Sequence, residues 1–406
     1  MQQEFNFPPH LSDPGFFTQE SPLQIKKRNE QLVIGVPKEN TLQENRIALV
    51  PNSVKHLTMK GLRVRIASGA GEKSNYSDLS YSEAGAEIVP DNETIFKSDL
   101  ILKTAPPTVE EIEHFTRDQM LISPLQIPLI TKSYMDKLLE KRTIAVAMEY
   151  FQSDDNSFPV VRTMSEIAGV VAILTAAEYL SNSSVSRKVL LGSISGVPPA
   201  KVVILGAGMV AEYACRTALS LGASVRIFDD DLHKIIRLQN RVGQNLHTST
   251  INPVYLQYQL KGADVLIGAV HSSSGRSPIL VSEDMVAMMK PGSVIVDVSI
   301  DQGGCIETSR MTSHDNPVYT KHGVIHYCVP NIPSKVARTA SAAISNIIAP
   351  LLVKAGLMDS YESLLYQNRG VRNGVYAYKG KATNRYLAEY FGLKYAELDL
   401  LLSSGF

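Results

Sequence analysis

The sequence predicts an α/β chain of two domains with a cleft between them. Three observations carry this prediction. Short apolar runs alternate with helical segments in two separate series. A Gly-X-Gly-X-X-Ala turn stands between a strand and a helix at the head of the second series. The length of 406 residues, at roughly 150 per domain, suffices for two or three cores.

Taken in order, residues 1–30 are polar, broken by Pro8, Pro9, Pro14 and Pro22 and interspersed with Phe5, Phe7, Phe16 and Phe17, and read as an irregular arm. From Gln31, QLVIGV is a strand, SVKHLTMKG a helix closed by Gly61, and RVRIAS a second strand. Gly69 and Gly71 turn the chain into DLSYSEAGAEIV. DLILKTA, QMLISPL and TIAVAMEY continue the strands, with SYMDKLLEKR a helix before the last. The rhythm breaks at Met164, where MSEIAGVVAILTAAEYLSNSS reads as one long apolar helix with Ser165 a candidate N-cap. GSISGVPPA reads as the interdomain connection. AKVVIL, SVRIF, ADVLIGAV, SVIVDVSI and VIHYCV form the second series. After Pro330 and Pro333, ARTASAAISNIIAPLLVKAG is helical, and a helical tail near 386–402 is expected to return to the first domain. The expected division is therefore an arm at 1–30, a discontinuous substrate domain at 31–165 and 330–406, and a dinucleotide-binding domain at 166–329.

Composition excludes several classes. Lys+Arg and Asp+Glu both number 40, so no basic surplus marks a nucleic-acid partner. A hydrophobic fraction of 44 % excludes disorder. No run of about 18 apolar residues appears, so no membrane span is expected. Cys215, Cys305 and Cys328 suit a reducing compartment. His271, His314, His322 and His326 are scattered without metal-ligand spacing, and no metal is expected. Cys305, His326 and Cys328 read as packing residues. MQQEFNFPPHLSDPGFF has neither a basic n-region nor an apolar core, so it does not read as a signal peptide, and a cytoplasmic protein is expected.

The strongest motif is AKVVIL running into Gly206-Ala207-Gly208-Met209-Val210-Ala211, with EYACRTALSLG continuing as a helix. Gly206 permits the tight turn, and Gly208 lets the backbone approach a pyrophosphate held by the helix N-terminus. Ala211 allows close helix–strand packing. Asp229 follows the next strand, 21 residues after Gly208, where a carboxylate accepts hydrogen bonds from an adenosine ribose. Asp230 and Asp231 extend an acidic cluster that repels a 2′-phosphate, so NAD is the expected cofactor. The bland readings are a structural glycine turn and a solvated acidic loop.

Further stretches resemble the alanine dehydrogenase family, which shares its fold with the nucleotide-binding subunit of proton-translocating transhydrogenase. They are GVPKE (35–39), ENRIAL (44–49), SGAGEKSNYSD (68–78), MSEIAG (164–169), GVPPAKVVILGAG (196–208), MKPGSVIVDVSIDQGGCIETSR (289–310), HDNPVY (314–319) and HYCVPNIP (326–333). The likeness covers roughly residues 31–400. It implies NAD-dependent deamination of L-alanine to pyruvate and ammonia, a small amino acid or 2-oxo acid as substrate, and a homo-oligomer, a hexamer in the family. It also implies that Arg46 grips the substrate carboxylate, Asp301 activates water, and Asn331 lines the nicotinamide and substrate cleft. Ser165, Gly206, Gly208, Met209, Val210, Asp229, Lys234, Val270, Ile300, Asp301 and Asn331 match cofactor-contacting positions. By sequence alone Arg46 reads equally as an ion-paired arginine, Asp301 as a turn cap, Asn331 as a turn residue and Lys234 as a solvated lysine.

Two positions depart from the family. Its Lys-X-Lys pair is Lys103-Thr104-Ala105 here, and Gln126 in MLISPLQIP occupies the place of its catalytic histidine. An amide does not shuttle protons near pH 7, and alanine does not bind a carboxylate. Lys103 shares a strand face with residue 105 and reads as a candidate catalytic replacement reaching the substrate space, and at least as readily as a lysine packed elsewhere. The departures leave two alternatives open: a hydride-transfer module like that of transhydrogenase, and an NAD-binding sensor or assembly subunit without turnover.

Overall fold

Two sheets carry the chain in a computed structural model that describes residues 32–40, 43–182, 184–272, 275–356 and 361–404. The arm read over 1–30 lies outside the described residues. The first sheet holds β1 (Val33–Val36), β2 (Arg63–Ala67), β3 (Glu87–Val89), β4 (Leu100–Leu102), β5 (Met120–Ser123) and β6 (Ile144–Ala147). The second holds β7 (Lys201–Leu205), β8 (Ser224–Phe228), β9 (His247–Ser249), β10 (Val265–Gly268), β11 (Val294–Asp297), β12 (Val318–Lys321) and β13 (Val324–Tyr327). β14 (Val375–Tyr378) and β15 (Lys381–Ala382) return to the first sheet.

Strand composition sets the architecture. LIL, MLIS, IAVA, VLIG and VIVD are buried along their whole length, as strands covered by helices on both faces must be. The first sheet runs β15-β14-β6-β5-β4-β1-β2-β3 and the second β12-β13-β11-β10-β7-β8-β9. β1 to β6 pair in parallel, as do β7 to β11 and β13. Among the described residues, the antiparallel strand pairs are β12 with β13, and β14 with β15 and with β6. Each sheet winds both ways from its first strand, so each has a switch point, between β1 and β4 and between β7 and β10. All loops at the carboxyl ends of the parallel strands in one sheet emerge on one edge.

The chain crosses between the two cores twice, each time by a long helix. The helix Pro159–Asn182 starts in the first core at Val160 and buries Val171, Ala172, Ile173 and Leu180 in the second. The return starts at Ile332 in the second core, and the helix Ala337–Gly356 buries Ile344, Ile348 and Leu352 in the first.

These crossings correct several expectations. Helix Pro159–Asn182 begins six residues before Ser165, which therefore lies inside it and caps nothing. The GSISGVPPA stretch is not the connection between domains; it carries an Ile194–Val197 bridge and leads straight into β7. The absence of a long apolar run in the sequence does not hold at the level of helices. Pro159–Asn182 and Ile332–Gly356 are long and apolar enough by composition to cross a membrane. Each buries part of that apolar surface in the protein cores, while Val161 and Leu174 on the first stay exposed. The tail has the expected helices, Arg385–Phe391 and Leu398–Ser403, but β14 and β15 precede them and were not legible.

Where the first crossing helix enters the second core, it packs closely on the helix Met209–Ser220. A Cβ at Gly169 would stand 2.4 Å from the Val210 carbonyl oxygen and 2.8 Å from the Ala214 nitrogen, both backbone of the helix Met209–Ser220. Gly169→Ala is expected to lower stability by about 1–3 kcal/mol, read as a lower urea midpoint at unchanged slope.

Candidate active site

The glycine turn sits at the carboxyl end of β7, on the switch point. Gly206 has φ +103, and a Cβ there would come within 2.4 Å of the Ala269 carbonyl oxygen beyond β10. No other residue type fits that contact. Gly208 precedes helix Met209–Ser220 directly, and a Cβ on it would meet nothing within 4 Å. One glycine is thus required by the fold, while the other faces open space at a helix N-terminus, as a phosphate cradle does.

Asp229, at the end of β8, accepts from the Ala207 N–H at 2.7 Å and from the Asp231 N–H at 2.8 Å. It fixes the glycine turn while keeping carboxylate lone pairs for a further donor. The three-acid cluster is not a uniform repelling patch. Asp230 accepts from the Ile251 N–H, and Asp231 caps the helix Leu232–Val242 through the His233 and Lys234 N–H groups. Lys234 lies 3.8 Å from Asp231 and is otherwise solvent-facing. Next to β10, the Val270 N–H donates to Ser299 Oγ, which ties the loop after β10 to the turn Val298–Gln302. Buried Asp297 shapes that turn by accepting from the Ser299 and Cys305 N–H groups and from Ser309 Oγ. Ile300 is buried beneath it, and Asp301 projects outward.

Arg46, after β1, is 7 % exposed and Glu44 only 1 %. Arg46 Nε donates to Glu44 Oε1 at 2.7 Å and Nη2 to Oε2 at 2.5 Å, a two-point fork. Nη1 points to Met164 Sδ at 3.3 Å. Glu44 also accepts from Asn331 Nδ2 at 2.9 Å and Ser334 Oγ at 3.3 Å. The Asn331 backbone N–H donates to Asp301 Oδ1 at 3.1 Å. The structure therefore brings Arg46, Asn331 and Asp301 into one hydrogen-bonded array, and Ser165 stands next to Met164 in the helix bordering it.

Charge follows from this packing. Burial opposes ionisation of Glu44, but the Arg46 guanidinium and the Asn331 amide hold its carboxyl below the ordinary value. Burial likewise opposes the Arg46 charge, and Glu44, Glu39 and Asp301 outweigh it, so Arg46 stays ionised. Asp301 reaches solvent yet is ringed by protein. That partial dehydration pushes its carboxyl above the ordinary value, against the Asn331 N–H and the Arg46 charge.

Lys103 is in neither network. Its side chain is wholly buried, with Nζ 2.9 Å from Glu39 and 3.2 Å from Glu111. Glu39 also accepts from the Thr104 N–H at 2.6 Å and the Ala105 N–H at 3.3 Å. These bonds favour the packed reading of Lys103 over the catalytic one, because reaching the cleft would strand two buried carboxylates. Ala105 is fully buried. Gln126 adopts a left-handed backbone (φ 46, ψ 66), and its N–H and that of Leu125 donate to Glu149. Burial raises the Glu149 carboxyl above its ordinary value despite those donors. Glu39, Glu44, Glu149 and Met164 escaped sequence reasoning, although GVPKE and ENRIAL already held two of them beside singled-out residues. Among the described residues no group of three His, Cys, Asp or Glu is placed to hold a metal.

These observations define a two-domain α/β protein with Rossmann-like sheets and a polar site between their carboxyl edges. Residues 35–168 match the family model "Alanine dehydrogenase/PNT, N-terminal domain" and residues 172–385 the C-terminal domain of the same family. The chain belongs to the alanine dehydrogenase/PNT family. It is 36 % identical over 370 residues to alanine dehydrogenase 2 of Staphylococcus aureus (strain USA300), covering 90 % of this chain and 98 % of that protein. A solved L-alanine dehydrogenase superposes with TM-score 0.82 at 34 % identity, covering 89 % of this chain and 99 % of the other. The transhydrogenase from Sinorhizobium meliloti shares the fold, with TM-score 0.73 at 24 % identity over 87 % of this chain and 99 % of that one.

Removing Glu44 leaves the buried guanidinium without its counter-charge. Glu44→Ala is expected to destabilise by about 3–5 kcal/mol at pH 7 in urea unfolding. Because the folded-state carboxyl lies below its ordinary 4.5, that contribution is complete above pH 4.5 and is lost as pH falls through the folded value.

Proposed function

We propose that the protein is an NAD-dependent oxidoreductase acting on a small amino acid and its 2-oxo acid, of alanine dehydrogenase type. The carrying observation is the array Arg46–Glu44–Asn331–Asp301, which puts a fixed cation and a carboxyl of raised pKa on one network beside the glycine turn. Gly206, Gly208, Met209, Val210 and Asp229 fit a dinucleotide by geometry, through the open space at Gly208 and the lone pairs left on Asp229. Ser165, Lys234, Val270, Ile300, Asp301 and Asn331 complete the proposed contacts on family likeness. When bound, NAD supplies the hydride acceptor. A homo-oligomer in the cytoplasm belongs to the same proposal, as the family resemblance implies.

In this mechanism the outer edge of the Arg46 guanidinium binds the substrate carboxylate while Glu44 holds the inner edge, so the fork keeps one orientation. Asp301 takes a proton from the water that attacks the imine carbon and passes it to the nitrogen, which leaves as ammonia as the carbonyl forms. A carboxyl raised above its ordinary value is a better proton acceptor than a free aspartate, which suits that task. The Asn331 N–H aims it.

A second reading has its own observation. The cleft lacks the family's substrate lysine and histidine, since Lys103 is locked between Glu39 and Glu111, and residue 105 is alanine and residue 126 glutamine. That favours a protein that binds NAD(H) without turning over.

An NADH-linked panel of small L-amino acids, and of 2-oxo acids with ammonia, separates the two. Turnover is the expected result, and tight NADH binding with no turnover across the panel would establish the second reading. Asp301→Asn is expected to lower kcat by about 10²- to 10⁴-fold. The acidic limb of kcat/KM should lie above the ordinary aspartate range, because activity needs the ionised form, and it should vanish in Asp301→Asn. Ala105→Lys combined with Gln126→His is expected to raise alanine turnover by about tenfold or more if those groups limit the rate.

A further inference from the structure

A cavity of about 270 Å³ opens beside the glycine turn, against roughly 30 Å³ for one water. Ala207, Gly208 and Met209 line it from the turn, and Glu212, Arg237 and Arg241 from the helices Met209–Ser220 and Leu232–Val242. Glu212 is 6 % exposed, and both its oxygens are engaged. Arg216 Nη2 lies 2.9 Å from Oε1 and Arg241 Nη1 3.0 Å from Oε2. Arg216 Nη2 also donates to the Arg241 carbonyl at 2.8 Å, which fixes the group. Arg237 stands one turn before Arg241 on the same helix. It is exposed, with no hydrogen bond or ion pair among the described residues. Like charges at this spacing on a helix repel each other. Glu212 offsets Arg241, and Arg237 leaves an uncompensated positive charge on the cavity wall.

The helix that carries both arginines follows directly on Asp229–Asp231, so their charge belongs to the adenosine end of the proposed cofactor site. NAD(H) has no anion on that ribose, whereas NADP(H) has a 2′-phosphate there. We propose that the cavity is a phosphate subsite: Arg237 and the remaining N–H groups of Arg241 take the 2′-phosphate, and the protein binds NADPH as well as NADH. The inference rests on the reading of the glycine turn as a dinucleotide site. The neighbouring acids do not close the cavity to an anion, because each is engaged by backbone N–H groups. Asp229 accepts from Ala207 and Asp231, Asp230 from Ile251, and Asp231 from His233 and Lys234. Those N–H dipoles offset part of the field of each carboxylate. A guanidinium fork in turn matches two oxygens of one phosphate.

The test measures NADH and NADPH binding to the full chain by the fluorescence of the reduced nicotinamide, in wild type, Arg237→Ala and Arg237→Lys. The wild type is expected to bind NADPH with a Kd within about tenfold of that for NADH. Arg237→Ala is expected to raise the NADPH Kd about tenfold, the size of one charge-assisted hydrogen bond, and the NADH Kd by less than about twofold. Arg237→Lys keeps the charge but loses the fork, and is expected to fall between the two. Adenosine 2′,5′-bisphosphate, which lacks the nicotinamide half, is expected to displace NADH about tenfold better than 5′-AMP, and to lose that advantage in Arg237→Ala. Wild-type NADPH binding weaker than NADH binding by more than about tenfold overturns the subsite. So does a loss in Arg237→Ala shared equally by both cofactors, or equal displacement by the two adenosine phosphates. A wild type that binds neither cofactor overturns the dinucleotide reading and the subsite with it, whereas binding of NADH alone overturns only the subsite.

Discussion

A guanidinium buried to 7 % exposure has to be matched by a carboxylate and by geometry, and the pair Arg46–Glu44 supplies both. Much else is arranged around it. Asn331 and Ser334 reach Glu44 from the segment that leads into the second crossing, and Met164 meets Arg46 from the first. The backbone of residues 45–50 runs buried with no strand beside it, so its N–H groups need other partners. Serines from the returning chain provide them: Ser334 Oγ accepts from Asn45, Ser341 Oγ from Ile47 and Ser345 Oγ from Val50. The loop bearing the cation is thus built into both crossings, and the site inherits their rigidity.

A second buried ion cluster explains what the site does without. Lys103 neutralises Glu39 and Glu111, and Glu111 is also the reciprocal partner of Thr108 at the start of the helix Val109–Glu113. Glu39 meanwhile orders Thr104 and Ala105, and Thr104 Oγ1 donates to the Arg46 carbonyl. Withdrawing the lysine would leave two carboxylates uncompensated in low dielectric, a larger penalty than one substrate contact returns. Lys103 is thus committed to the interior, by electrostatics rather than by proximity in sequence.

On the second sheet, the glycine turn and the loops beside it are held by the protein's own hydrogen bonds. Asp229 holds Ala207, Asp297 holds the turn that presents Asp301, and Ser299 holds Val270. Such prior ordering lowers the entropy lost on binding, because the loops need not be fixed again.

The sequence by itself determined the two series of strands, the glycine turn and the residues at its ends, because period, turn chemistry and a strand–turn–helix junction are local properties. Arg46, Asp301 and Asn331 were likewise legible as candidates from short motifs. The double crossing, the return of β14 and β15 to the first sheet, and the burial of two long apolar helices were decided only in three dimensions. So was the fate of Lys103. The physical reason is the same in each case. A charged or polar group takes its role from the partners that desolvation forces upon it, and those partners, Glu39 for Lys103 and Asn331 for Glu44, lie far along the chain.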